Sequence, residues 1–300
     1  MKQGIVYAAL SYLAWGLLPL YWRLFQNMPA WEVLAHRVVW AFAFVALPVT
    51  AGKQWNRLKK VVADRRSKIA VALCSVFISA NWLIYIWAVN HDQVVETSLG
   101  YYMNPLISIL VAVAFLKERL SALQWIAIGL AGTGVLVMTV ELGRLPWVSL
   151  ALAVSFSLYG LAKKAVKVDA LLGLTWETMI VLPLSIVYLL FLQTQGTGTF
   201  TQLPVSKMLI LLLAGPATAL PLFWFAKATS LLPLSLVGFI QYLSPTTSLL
   251  LAIFVFHEPF QTSQLASFAL IWLALVVYSA ASFLGTKPAA NRLAQAEHKA

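Results

Sequence analysis

The sequence predicts an all-α integral membrane protein, with ten transmembrane helices forming two inverted five-helix repeats. Three observations carry that prediction. Hydrophobic residues make up 61% of the 300 residues and charged ones only 10%, where a soluble domain carries about 25% charged residues. Apolar runs recur from one end of the chain to the other, at the roughly 20 residues that a hydrocarbon core demands of a helix. The chain also aligns with itself at one constant offset, so that Tyr102 meets Tyr242 and Pro105 meets Pro245.

Read in order, the spans lie near 4–25, 31–51, 69–90, 95–116, 121–141, 146–163, 170–192, 207–226, 232–256 and 263–284. The first has too long an apolar core for a secretory leader and no small-residue cleavage site, so it reads as a retained helix. Strands of a membrane barrel would be shorter and would alternate every second residue, which these runs do not. The Ser, Thr and Gly of QTQGTGTFTQLPVS (193–206) mark an exposed loop. Organisation follows as a first repeat over 1–141, a second over 142–284 and a cytoplasmic tail over 285–300.

A net charge of +11 in a soluble protein would suggest nucleic acid, but no basic helix or basic patch interleaved with aromatics occurs. The charge sits in loops, where it sets orientation, because Lys and Arg are retained on the cytoplasmic side. With the N-terminus inside, 17 of the 21 basic residues fall on cytoplasmic segments. Only Arg23, Arg144 and Lys207 fall on the other side, and Arg37 alone lies well inside a span. Both termini are expected in the cytoplasm. Cys74 is the single cysteine and lies in an apolar run, so disulfides and cysteine-based metal sites are excluded. No cofactor or metal motif appears, and the sequence specifies no oligomeric state.

The self-alignment spans 81–120 and its counterpart 140 residues on without a gap, with Ser108 meeting Ser248 and Glu118 meeting Glu258. Five spans per half is an odd number, so the second half sits upside down relative to the first. Inverted repeats of this kind are a transporter architecture, with the solute site near the midplane at the repeat interface. In the fourth span Ser98, Tyr101, Tyr102, Pro105 and Ser108 share one stripe of a helix. Gly238, Gln241, Tyr242, Pro245 and Ser248 repeat it in the ninth. Such stripes face protein or a wet cavity, because polar groups in lipid lose their hydrogen bonds. The same residues also suit helix packing, although the tyrosines are bulky for close contact. Pro105 and Pro245 act as helix-breaking positions, each freeing a carbonyl one turn earlier. Asn81, Trp82 and Tyr85 of the third span, Asn104 of the fourth and Trp224 of the eighth complete the candidate substrate-binding set.

Several phrases together resemble the RarD-type permeases of the drug/metabolite transporter superfamily, which carry two EamA-type halves. They are SYLAWGLLPLYWR (11–23), AHRVVW (35–40), NWLIYIWAVN (81–90), ETSLGYYMNP (96–105), FLKERL (115–120), FSLYGLAKK (156–164), WETM (176–179) and FIQYLSPT (239–246). The resemblance covers about 4–284. It implies a bacterial inner-membrane permease, an exporter of a small metabolite or drug-like solute, with a substrate path built largely from the third, fourth, eighth and ninth helices. Similar proteins are named for chloramphenicol sensitivity, which leaves the physiological solute open. The partners implied are a small-molecule solute and the lipid bilayer, with no nucleic acid.

Other classes fit less well. A primary pump needs a phosphate-binding G-x-x-x-x-G-K-[ST] loop, and none occurs. An intramembrane enzyme needs a nucleophile with its base or a metal cluster, yet the four histidines lie in four different segments. His257-Glu258 and its counterpart Lys117-Glu118 read as helix-end caps. A non-transporting sensor or receptor stays open.

The charges within spans form the last candidate group, His36, Arg37 and Glu177, with a gating or coupling role. The shift of 140 sets Arg37 opposite Glu177 of WETM, the only acidic residue well inside a span. Each lies roughly 9 Å deep from its own end at a rise of 1.5 Å per residue. Entering a core about 30 Å thick from opposite faces leaves a backbone gap of roughly 12 Å. A direct pair then needs both side chains extended, or one conformational state. Snorkelling of Arg37 to headgroups, with Glu32 as an interfacial neighbour, is the competing reading.

Overall fold

The computed structural model describes residues 1–91, 93–143, 145–165, 168–257 and 265–281. Glu258, Pro259, the margins of the tenth span and the 285–300 tail lie outside them, as do Arg144 and Lys167. The described residues are helical, without strands. In chain order the helices are α1 (Lys2–Trp22), α2 (Ala30–Ala51), the short α3 (Trp55–Val61), α4 (Arg65–Asn90), α5 (Val94–Leu116), α6 (Ala122–Leu142) and α7 (Trp147–Ala165). They continue as α8 (Ala170–Thr194), α9 (Val205–Leu212), α10 (Ala214–Leu231), α11 (Leu234–Ile240) and α12 (Leu243–Phe254), with α13 over Leu265–Ala281. Nine spans among the described residues are long and apolar enough to cross a membrane, counting α9 with α10 and α11 with α12 as one each. The tenth apolar helix, α13, is shorter, and described residues end where it ends.

Local chemistry explains the helix boundaries. Asp64 caps α4 by accepting the Arg66 and Ser67 amides, and these bonds, Ser67 foremost, hold its exposed carboxyl below the usual carboxylate range. Asp169 caps α8 in the same way, and Ser121 with Gln124 forms a capping box on α6. Glu118 reaches from the end of α5 across the bundle, where the Leu234 and Ser235 amides at the start of α11 donate to its carboxylate. That is a capping role, though for a different helix from the one Glu118 follows. Lys117 and His257 both adopt a left-handed backbone, at φ 54° and 55°.

The ninth span breaks at Gln241 and Tyr242, so that Pro245 falls in the first turn of α12, where a missing N–H costs nothing. Its counterpart α5 runs through Pro105 without interruption. The two prolines therefore sit in unequal backbones.

Packing follows a small set of pairs. α5 lies along α7, α1 against α10 and α12, α2 against α8 and α10, α4 against α7 and α8, and α5 against α11. With lipid as the solvent, these contacts rest on close approach and on interhelical hydrogen bonds. Gly215 of α10 shows the closeness: a Cβ there would run into the Trp40 carbonyl oxygen of α2. Ser11 donates to the Pro221 carbonyl (2.8 Å) where α1 crosses α10, and Asn81 Nδ2 to the Leu152 carbonyl (2.9 Å) where α4 crosses α7. Ser248 donates to the Gly16 carbonyl (3.1 Å) between α12 and α1, and Ser108 bonds Ser157 (2.9 Å) between α5 and α7. Tyr12, Tyr159 and Phe225 anchor one core among α1, α7 and α10, and Tyr242, Phe239 and Tyr278 another around α11 and α13.

Candidate functional site

The two charges within the membrane span sit in separate niches with different partners. Arg37 projects from the second turn of α2 toward α1, α4 and α10. Its Nε donates to Thr218 Oγ1 of α10 at 3.3 Å. Its Cζ stands 4.6 Å from the ring centroid of Trp22 and 5.7 Å from that of Trp82, distances of a cation–π contact. Among the described residues, the hydroxyls of Tyr85, Tyr101 and Tyr21 lie near enough to sense its charge. The rings of Tyr85 and Tyr101 lie 6.4 Å apart. Tyr101 is 48% exposed although it lies two turns inside α5, so this aromatic wall is open on one side.

Glu177 of α8 is buried and bound twice: Lys163 Nζ lies 2.6 Å from Oε1 and the Tyr159 hydroxyl donates to Oε2 at 3.1 Å. Both partners come from α7, at i and i+4 on one face. The ion pair borders a cavity of about 390 Å³ whose lining includes Cys74, Lys163, Asp169, Gly173, Glu177 and Ser230. The cavity opens at the end of the bundle that carries the turn between α7 and α8. Arg37 and Glu177 do not meet.

His36 lies at the opposite end of the bundle from that cavity. It is buried, tilted against Phe200 at 4.7 Å, and its Nε2 finds no hydrogen-bond partner. Glu32 explains the placement. Its carboxylate accepts the amides of Thr199 and Phe200 and the Thr199 hydroxyl, which draws the loop after α8 over His36 and encloses a small cavity of about 80 Å³.

The remaining candidates divide into packed and accessible groups. Asn81 is engaged by the Leu152 carbonyl and Ser155, and Asn104 Oδ1 accepts from Ser157 at 3.3 Å. Gln241 Oε1 accepts from Tyr12 at 3.4 Å. Tyr102 donates to the Pro245 carbonyl at 3.2 Å, joining α5 to α12. Tyr242, its counterpart, is fully buried with an unpartnered hydroxyl. Trp82, Tyr85 and Trp224 are half-buried and Tyr101 is exposed. The structure thus gathers Trp82, Tyr85 and Tyr101 around Arg37, and places Asn104, Tyr102, Gln241 and Tyr242 in helix crossings. Sequence reasoning missed Trp22, Thr218, Tyr159 and Lys163. The i, i+4 spacing of Tyr159 and Lys163 was the legible signal for the last two.

Comparison with known proteins places this arrangement. The model of the EamA-like transporter family matches residues 2–140. The uncharacterized transporter YojE of Bacillus subtilis is 43% identical over 93% of this chain and 94% of its own. Protein RarD of Escherichia coli is 40% identical over 92% and 94%. The chloramphenicol-sensitive protein RarD of Pseudomonas aeruginosa is 32% identical over 92% and 93%. A solved crystal structure superposes with a TM-score of 0.69 at 17% identity, covering 92% of this chain and 96% of that one, a likeness of fold. The chain belongs to the RarD-type permeases of the EamA-like, drug/metabolite transporter family.

Proposed function

We propose that this membrane protein is a secondary exporter of a small metabolite or drug-like solute, working by alternating access between two inverted five-helix repeats, 1–141 and 142–284. The observation that carries the reading is the equivalence of the two charged niches under the shift of 140. Each is built on the second helix of its repeat, closed by the last turn of the first helix, and completed by the third and eighth spans. One holds Arg37 and the other holds Glu177.

The packing supports the repeat. Exchanging the halves turns the α1–α10 pair into α7–α4, α1–α12 into α7–α5 and α2–α10 into α8–α4, while α2–α8 and α5–α11 map onto themselves. The bonds Ser11 to Pro221 and Asn81 to Leu152 occupy matching crossings, as do Ser248 to Gly16 and Ser108 to Ser157. The left-handed residues Lys117 and His257 also match.

Equivalent sequence positions with unequal packing suit a two-state device. Tyr102 reaches the Pro245 carbonyl, whereas Tyr242 holds no equivalent bond. In the opposite state the roles exchange. Arg37 and Glu177 then stand at opposite mouths of one path, periplasmic and cytoplasmic, with both termini in the cytoplasm and Glu177 the candidate carrier of a coupled proton. Tyr101, Trp82, Tyr85 and Trp224 are the side chains left accessible to solute, and the packed residues shape the helix crossings between the mouths.

The test is flux in vesicles containing the purified protein, over a panel that includes chloramphenicol, organic acids, amines and neutral aromatics. Saturable flux of at least one class above protein-free vesicles is expected. Binding without flux across the panel would favour a non-transporting receptor instead.

A further inference from the structure

The two niches differ in one respect that the shared geometry does not explain. In the second repeat the buried charge has a built-in counterion, with Lys163 at 2.6 Å from Glu177. In the first repeat Arg37 has none among the described residues. Glu32 lies on the same helix but is bound to the loop amides of Thr199 and Phe200. A guanidinium well inside a membrane span is costly without a partner, and such residues pair or line a solute path. Its Nε is committed to Thr218, and the rings of Trp22 and Trp82 approach its carbon. Aromatic contacts of this kind leave the Nη edge of the fork for an oxyanion, which it binds bidentately. Beside it, Tyr85 and the exposed Tyr101 offer ring surface to whatever body the anion carries.

We infer that Arg37 is the receptor for the carboxylate of a small organic anion whose flat, apolar body lies against Tyr85 and Tyr101, between the Trp22, Trp82 and Thr218 walls. The inference rests on the permease reading for its biological use, but the binding itself does not require flux. An oxyanion could come from a solute or from a phospholipid headgroup, and the structure favours the solute because the aromatic wall beside the guanidinium suits a flat organic body. The hydroxyls of Tyr85 and Tyr101, near enough to sense the guanidinium charge, are further donors for an oxyanion.

Fluorine NMR of para-fluorobenzoate against para-fluorobenzamide, with the full-length protein in phosphate-free maltoside detergent, tests this directly. Saturable line broadening of the benzoate, at least about tenfold weaker for the neutral amide, is expected from a charge-assisted bidentate contact. Arg37→Gln abolishes the preference, and Arg37→Lys retains part of it. Arg23→Gln, which removes a nearby cation lying over Phe256, leaves it unchanged. Tyr101→Leu weakens the benzoate without changing its preference over the amide, and serves if Arg37→Gln does not fold. Equal binding of acid and amide overturns the inference, as does an unchanged preference in folded Arg37→Gln. Binding in maltoside that disappears in phospholipid nanodiscs would assign the niche to lipid phosphate and also overturn it. Benzoate binding without any flux leaves the inference standing and removes the transport reading. Flux of cations or neutral compounds alone, without benzoate binding, does the reverse.

Discussion

Removing Lys163 should cost the protein a large part of its stability, and removing Glu177 with it should return most of that loss. Lys163 and Glu177 are 9% and 4% exposed at the side chain and 2.6 Å apart. At an effective dielectric near 20 their attraction is about 6 kcal/mol. The cost of taking both ions out of water offsets much of it, so the net worth of the intact pair is small. Breaking the pair is different, because one charge is left buried alone, and that typically costs about 3–5 kcal/mol. Lys163→Met should therefore destabilise by that order, and Lys163→Met/Glu177→Gln should recover more than half of it. In the double variant the Tyr159 hydroxyl, which donates to the Glu177 carboxylate in the native chain, still finds an acceptor in the side-chain amide oxygen that replaces it. Cys74 supplies the assay. It is the single cysteine, it borders the same cavity and it is buried, so thermal unfolding in detergent can be followed by a thiol-reactive fluorophore. A single variant as stable as wild type, or a double variant no better than the single, would refute the reasoning that this pair is a buried and mutually dependent unit.

Other outcomes follow from the same geometry. Gly215→Ala places a methyl against the Trp40 backbone, and overpacking of that kind costs about 1–3 kcal/mol, read as a lower midpoint in the thiol assay and a lower folded yield. Tyr102→Phe loses the bond to the Pro245 carbonyl, worth about 0.5–1.5 kcal/mol, while Tyr242→Phe is close to neutral in this state because its hydroxyl has no partner. Reporters fused after Lys60 and at the C-terminus should register cytoplasm and one within 194–203 periplasm; a periplasmic C-terminus would contradict the even number of spans that two five-helix repeats require.

How much of this was legible in the sequence depended on whether the cause was local. Span positions came from the length and periodicity of apolar runs, and among the described residues nine of the ten predicted sites hold helices long enough to cross a membrane, while the tenth holds the shorter α13. The tyrosine stripe of the fourth span lies on the unbroken α5, as the period of 3.6 requires, whereas that of the ninth crosses the break at Gln241 and Tyr242 between α11 and α12. What the face meets is not local. Asn81 and Asn104 were equally polar on paper, yet their partners Leu152, Ser155 and Ser157 lie on α7, a helix that the stripe alone does not name. Lys163 was counted with the loop charges because the apolar run ends there, whereas α7 continues to Ala165 and turns Lys163 inward to Glu177. Glu32 suits an interfacial neighbour of Arg37 only in the competing reading of the sequence, and its partners in the fold, the Thr199 and Phe200 amides, are backbone groups far along the chain. The separate fates of Arg37 and Glu177 were partly foreseen, since the depth estimate already set them too far apart for an ordinary pair.

The central claim, that the two charged niches are the mouths of one transport path, is tested most directly by solute flux in vesicles across pH for wild type, Arg37→Gln and Glu177→Gln at equal protein abundance. The account predicts that Arg37→Gln slows flux at every pH, and that Glu177→Gln flattens the pH dependence seen in wild type. Wild-type rates and wild-type pH dependence in both variants would contradict it, leaving Arg37 and Glu177 as structural charges alone.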